Sequence, residues 1–392
     1  MQNCLNTRAG SAGGSVLTDP VTLAGAVLGL LFLMLLGYTQ RDRFLAGRND
    51  FVQLYAGSQL SGSPRLYEPA ASKEIHARVL GVWLESVYYS RPPFYAFLLR
   101  PLGMLPYKTA YWIFQFLNLL AFVAFLKIWA PRCRELPVFA SVCLPLLVTI
   151  LTGQDVGLAL LAAAVAIEAL RRKRDFTAGL LFAFCAIKIH LFVLVPVVLL
   201  IHRRWRVVNG GLAGGIALLG LSFLSDGLDW PSRYLALLSN PELHPGAEHM
   251  PTFRGLVNAF SVYDFPWVIM ALSVVVLLSV VYIARRNNLE FSLAFALVGS
   301  LLVAYHAYLQ DCAILLLVFV LVMEHSRFAA LREATAIAVT PPLFFFLLSG
   351  KPWNAVVPLA LLGLLSIAVI HSAAVLTDVK RGAVACIPQP FC

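Results

Sequence analysis

Apolar runs, many of them roughly 17–25 residues long and nearly free of charge, recur from residue 21 to residue 375. Nothing else in the chain constrains its fold as much. A helical run of that length matches a bilayer, and a helix satisfies its own backbone N–H and C=O groups where water cannot. The sequence therefore predicts an all-α polytopic membrane protein. Predicted helices are 21–38, 107–129, 136–151, 155–170, 207–224, 265–284, 289–305, 312–323, 334–348 and 353–375. A further apolar segment covers 176–201, bringing the expectation to about 11–12 transmembrane or re-entrant helices. Of the 392 residues 60% are hydrophobic and 13% charged, more apolar surface than a soluble protein of this length could hide.

The formal charge of +10 is spread in short basic clusters between the apolar runs. That is the pattern of loops held against anionic lipid, not of a nucleic-acid face, so no nucleic-acid partner is expected. The seven cysteines are scattered, with no CxxC and no Cys/His metal spacing. Neither a disulfide framework nor a metal is expected. Residues 1–20 are polar and glycine-rich, unlike a signal peptide, and no small-residue cleavage site follows the first apolar run. The expected organisation is one transmembrane domain, 21–375, between cytoplasmic tails at 1–20 and 376–392.

Two strongly basic clusters, 171–174 and 203–206, bracket the apolar segment 176–201. A single span would put them on opposite faces, whereas dense Lys/Arg in short loops belongs in the cytoplasm. With Lys188 and His190 near its middle, the segment is read as two short helices, a broken hairpin whose turn lines a polar cavity. On this reading Arg132/Arg134, Arg285/Arg286, Arg327/Arg332 and Lys380/Arg381 share the inner side. The segments 39–93, 152–155, 225–264, 306–311 and 349–352 lie outside. Segment 39–106 is the extracytoplasmic loop. Within it, 70–86 has helical spacing and is expected along the interface. Residues 94–105 are too short to span and are interrupted by Pro101 and flanked by Pro106.

The polar residues gathered on the outer side are the chemical candidates. Asp50 follows the first span, where a carboxylate could take a proton from an attacking hydroxyl. The bland alternative is a helix cap or a solvated acid. His306 and Asp311 occupy the link before 312–323. A His there could share base duty or, protonated, hold a phosphate; end-capping is the alternative. Lys188 lies deep in an apolar segment, where a cation is costly and needs a partner such as a lipid phosphate, with His190 assisting. Gly153-Gln154-Asp155 is a tight turn or a sugar-contacting turn. Arg43, Arg48, Arg91 and Arg254 are outer-side cations that could neutralise a phosphate.

The ordered set of these blocks resembles glycosyltransferase family 87, a branch of the GT-C membrane glycosyltransferases. The resemblance rests on Asp50, Tyr55, Gly62 and Leu66-Tyr67; on Pro92-Pro93 to Pro101; on Gly153-Gln154; on 171–174, Gly179-Leu180-Leu181, Lys188 and 203–206; and on His306 with Asp311. The chain departs from the family pattern at Arg91, Asp155, His190 and Gln310. The resemblance implies a GT-C-type fold and an inverting, metal-independent and cofactor-free transfer of a hexose, typically mannose. The donor would be a polyprenyl-phosphate sugar and the acceptor a lipid-linked or glycan hydroxyl, on the outer face of the plasma membrane. Asp50 and His306 would be catalytic. Lys188, His190, Arg48, Arg91, Arg254, Gln154, Asp155, Tyr55 and Asp311 would bind donor or substrate. A transporter or flippase of a lipid-linked sugar is the competing class. It would need inverted repeats, and none is evident.

Overall fold

The computed structural model describes residues 27–385, apart from 28, 29, 32, 33, 241, 242, 244 and 245. The described residues are helical or irregular, with no strand among them. The predicted span 21–38 lies largely outside them, although 34–39 are helical. The tail 1–20 and residues 386–392 also lie outside.

Segment 39–106 folds into four short helices: α1 (Arg41–Ala46), α2 (Phe51–Leu60), α3 (Pro69–Leu80) and α4 (Pro93–Gly103). It is not a solvated loop, since Phe51 to Ser58 of α2 are all buried. Helix α3 stops short of the predicted 86 because Gly81 takes a left-handed conformation and closes the last turn. Helix α4 has 11 residues, too few to span, as the prolines predict.

The body begins with α5 (Tyr107–Trp129), at the predicted bounds. The predicted helix 136–151 is instead two, α6 (Leu136–Ser141) and α7 (Leu144–Thr152). Pro145 sits in the first turn of α7, where its missing N–H costs nothing, and it cannot continue a helix from α6. Helix α8 (Val156–Arg171) follows. Segment 176–201 is broken as predicted into α9 (Asp175–Phe184), a 3₁₀ stretch Cys185–Leu191 and α10 (Val195–Ile201). The break falls at Lys188, whose φ of −136° and ψ of 49° are not helical.

Helix α11 (Trp205–Asp226) then runs beside α9. Glycines set the approach: a Cβ on Gly179 would lie 2.0 Å from the Val207 carbonyl, and one on Gly210 would lie 2.1 Å from that of Phe176. Ala183 meets Gly214 further along, so the two helices run parallel. The chain has therefore turned back between them, and Asp175 and Arg204 pair at 3.6 Å. The clusters 171–174 and 203–206 thus share one end of the bundle.

The remaining helices are α12 (Trp230–Leu238), α13 (Phe253–Phe260), α14 (Pro266–Ala284), α15 (Leu289–Val303), α16 (Leu315–His325), α17 (Ala329–Ile337), α18 (Pro341–Leu348) and α19 (Val356–Ala385). A 3₁₀ stretch, Leu309–Ile314, leads into α16. Helices α15 and α16 are buried on nearly every face and form the centre of the body.

By length and apolarity α5, α11, α14 and the 353–374 stretch can cross a membrane. The pair α17–α18, bent by 50°, passes the same test taken together, as a broken span or a re-entrant loop. The expectation of 11–12 helices counted segments such as α8 and α15, of 16 and 15 residues, that are short for a bilayer on their own. The exposed sides of α11 and α14 carry Leu212, Ile216, Met270, Val274 and Leu278, a surface suited to lipid. The chain is an all-α polytopic membrane protein.

Contacts define two ends. At one, Arg171 holds Glu290 and, at 2.6 Å, Glu324, while its guanidinium stacks 4.5 Å from the Trp129 ring. Arg132 pairs with Glu168 at 2.8 Å. These bonds tie the ends of α5, α8, α15 and α16 together. At the other end residues 47–50, 91, 154–155, 188–190 and 306–311 converge.

Candidate active site

That second end contains a cavity of about 950 Å³. Asp50 reaches it because its neighbour takes the structural duty. The Asn49 side-chain oxygen accepts the Phe51 N–H at 3.2 Å, so Asn49 closes the start of α2 and Asp50 makes no cap bond. The Asn49 amide in turn donates to the Tyr111 hydroxyl at 3.1 Å and the Leu151 carbonyl at 3.0 Å. This fastens the segment to α5 and α7.

The turn between α7 and α8 comes up against the same segment. Gly153 has φ +66°, and a Cβ there would lie 2.8 Å from Cβ of Phe51. Both the conformation and the space require glycine. The next residue, Gln154, is thereby delivered to Asp50, donating from Nε2 to Oδ2 at 2.7 Å. Its Oε1 accepts from Lys188 Nζ at 3.2 Å and Arg91 Nη2 at 3.4 Å. With two cations on the oxygen the amide has one orientation, its NH₂ towards Asp50.

The charges beneath are paired. Arg91 holds Asp155 by two bonds, Nε at 3.1 Å and Nη2 at 3.2 Å, and Asp155 is fully buried. Lys188 donates to Asp311 at 3.0 Å and lies 3.5 Å from Asp155. The Tyr308 backbone N–H reaches the other Asp311 oxygen at 2.9 Å. His190 Nε2 stands 3.9 Å from Asp311, beyond hydrogen-bond reach. The His190 and His306 rings face each other at 5.0 Å.

Within this network Asp50 is the carboxylate left without a cation, and the cavity's further unpaired acid, Glu85, is exposed. Asp155 and Asp311 each have a cation, whereas Asp50 has the neutral Gln154 amide on one oxygen. Burial pushes its pKa above the ordinary value, partly offset by the Gln154 bond and by the charges of Lys188 and Arg91. A carboxylate with a free oxygen facing a cavity and a raised pKa is suited to proton abstraction. His306 also lines the cavity, but burial, with His190 beside it, pushes its pKa down to about 3. That favours its uncharged imidazole at neutral pH.

The lining also carries polar atoms without partners. Arg254 spends Nε on Asp264 at 3.3 Å and lies 4.8 Å over the Tyr305 ring. Its buried Nη1 has no partner, and neither does His190 Nε2 or the Tyr308 hydroxyl. All three residues line the cavity.

Three sequence candidates lie elsewhere. Arg43 and Arg48 are exposed at the surface and outside the lining. Tyr55 is buried and donates to the Leu105 carbonyl at 2.8 Å, a packing role between α2 and the turn before α5. Asp226, at the end of α11, accepts the Gly62 N–H at 3.1 Å and ties α11 to the α2–α3 turn. Conversely, Tyr308, His249 and Gln53 line the cavity without having been singled out from sequence. Tyr308 lay within the His306–Asp311 link, but residue spacing carries no sign of which way its hydroxyl faces.

A polytopic helical body with a buried acid–base cluster at one end of its helices is the frame of a membrane-embedded enzyme. The family model for glycosyltransferase family 87 matches residues 89–309, more than half of the chain, and the protein belongs to that family of glycosyltransferases. No curated protein and no solved structure matches the chain. The matched stretch contains Arg91, Gln154, Asp155, Lys188, His190, Arg254 and His306. Asp50 precedes it and Asp311 follows it, so their place in the site rests on the geometry above.

Proposed function

We propose that the protein transfers a hexosyl unit, mannosyl in the first instance, from a polyprenyl-phosphate donor to a hydroxyl of a lipid-linked or glycan acceptor, with inversion. One observation carries this reading. The cavity lining combines Asp50, a buried-network carboxylate with one oxygen free, with unpartnered polar atoms on Arg254, His190 and Tyr308, while its other unpaired acid, Glu85, is exposed at the surface. An acceptor hydroxyl offers a proton and a leaving phosphate offers oxygens, so the two sets match the two ends of the reaction. The acceptor oxygen attacks the anomeric carbon and its proton passes to Asp50. The bond from that carbon to the phosphate oxygen breaks, its electron pair leaving with the phosphate. Phosphate is a good leaving group, so positioning and charge stabilisation are the chief tasks. Arg254 supplies charge on the phosphate side, and the scheme routes no step through a metal.

Lys188 and Arg91 have a different part in this scheme. Their donors are already used on Asp155, Asp311 and Gln154, so they hold the base in place. The basic clusters at the opposite end favour a cytoplasmic location there. The cavity would then open on the extracytoplasmic side of the plasma membrane. Cysteines introduced at Arg204 and Arg286 should be labelled only from the cytoplasmic side.

The test is a donor panel with purified protein in liposomes. Label should pass to acceptor lipid from polyprenyl-phosphate mannose and not from a nucleotide sugar, with EDTA present. Arg254→Ala should raise the donor KM by about tenfold, the loss of one charge-assisted bond. Transfer from the nucleotide sugar, or lipid movement without transfer, would overturn the proposal.

A further inference from the structure

A second cavity, of about 560 Å³, lies between the last turn of α2, helix α3 and the end of α4. It shares no lining residue with the first. Helix α2 packs closely on the segment before α4: a Cβ on Gly57 would meet the Tyr89 ring at 2.1 Å. Three arginines surround this cavity, Arg65, Arg78 and Arg100, with one acid, Glu74.

The charges are unequally matched. Arg65 bonds Glu68 at 3.1 Å and Glu74 at 3.0 Å, so it is neutralised. Arg78 donates only to the uncharged side-chain oxygen of Gln59. Arg100 has no hydrogen bond or ion pair among the described residues. Arg78 therefore has no acid of its own at this opening, and Arg100 has only the through-space charge of Asp226.

The level of the cavity is set by the spans beside it. The Gln59 amide on its rim donates to the Gly103 carbonyl at 3.1 Å, four residues before α5 begins. Gly62, just after α2, is bonded to Asp226, the last residue of α11. Both α5 and α11 are long enough to cross the membrane, and the cavity sits where they end. Met104 lines it and is 85% exposed, and Phe97 and Leu98 are exposed on the same helix as Arg100. Apolar side chains next to unpaired arginines, at the end of a span, match the border between acyl chains and phosphates.

The geometry points to a site for the phosphate of an anionic membrane phospholipid, held between Arg78 and Arg100 and separate from the proposed transfer site. Guanidinium groups bind phosphate oxygens in pairs of parallel bonds. Glu74 does not repel the ligand strongly because Arg65 covers both of its oxygens. The inference does not depend on which sugar or donor the first cavity takes.

The test is native mass spectrometry and thermal melting of the full-length protein in neutral detergent, with phosphatidylglycerol, phosphatidylcholine or inorganic phosphate added. Wild type should retain phosphatidylglycerol over phosphatidylcholine and melt higher with it, while inorganic phosphate has no effect. The Arg78→Gln/Arg100→Gln variant should bind phosphatidylglycerol about tenfold more weakly. Glu74→Gln, which leaves every arginine in place, should bind it more tightly. The basic end of the bundle is intact in all variants and supplies the constant background. An unchanged preference in the double variant, weaker binding in Glu74→Gln, or equal stabilisation by inorganic phosphate would overturn the site.

Discussion

Gln154 offers the sharpest handle on how the proposed base, Asp50, is tuned. Its amide gives Asp50 the one side-chain hydrogen bond it has, at 2.7 Å, and that bond favours the ionised form. Burial works the other way and prevails, holding the Asp50 pKa above its ordinary value. Gln154→Leu keeps the bulk and removes the bond, so the pKa should rise further. A hydrogen bond to a charged group contributes about 1.5–3 kcal/mol, or roughly one to two pH units. Asp50 opens onto the cavity, so solvent screening favours the lower figure, about one unit. Asp50 must be ionised to accept a proton, so the acid limb of kcat/KM should move about one unit to higher pH. The assay is hexosyl transfer as a function of pH for wild type and variant. If turnover falls and the acid limb stays in place, Gln154 is not tuning Asp50 and the reasoning is wrong.

Other outcomes follow from the same geometry. Asp155→Ala leaves Arg91 without its two carboxylate bonds and Lys188 with a single acid, and should destabilise the fold by about 3–5 kcal/mol in a melting experiment. Gly210→Ala places a methyl against the Phe176 carbonyl, 2.1 Å away on the present backbone, and should cost about 1–3 kcal/mol by forcing α9 and α11 apart. Asp50→Asn should melt at a higher temperature than wild type at neutral pH. A carboxyl with a raised folded pKa contributes stability at low pH that is lost as pH rises through that pKa. The difference should therefore close on acidification.

Much of the body was legible because a span leaves a local signature. The bounds of α5 follow from an unbroken apolar run opened by Pro106, and the break in 176–201 follows from basic clusters at both of its ends with Lys188 near its middle. Where local chemistry competed, the reading slipped. Pro145 divides 136–151, and Gly81 ends α3 early. The site was legible as a set of candidates but not as a network. Gln154 meets Asp50 across 104 positions, Arg91 meets Asp155 across 64 and Lys188 meets Asp311 across 123. No periodicity reports pairings at such distances. Which cation would be spent and which free was equally hidden. Lys188 looked like a phosphate ligand from its place in an apolar segment, yet its bonds go to Gln154 and Asp311. Arg254, one of four outer arginines that sequence could not rank, keeps a nitrogen unpartnered.

The central claim is that Asp50 is the base of a polyprenyl-phosphate-dependent transfer. The most direct measurement is turnover of purified wild type and Asp50→Asn with polyprenyl-phosphate mannose and acceptor lipid, at the pH optimum of the wild type. The account predicts a fall of about 10²–10⁴-fold, the usual effect of losing a general base, in a variant that is folded and no less stable. Equal turnover in the two proteins would contradict it.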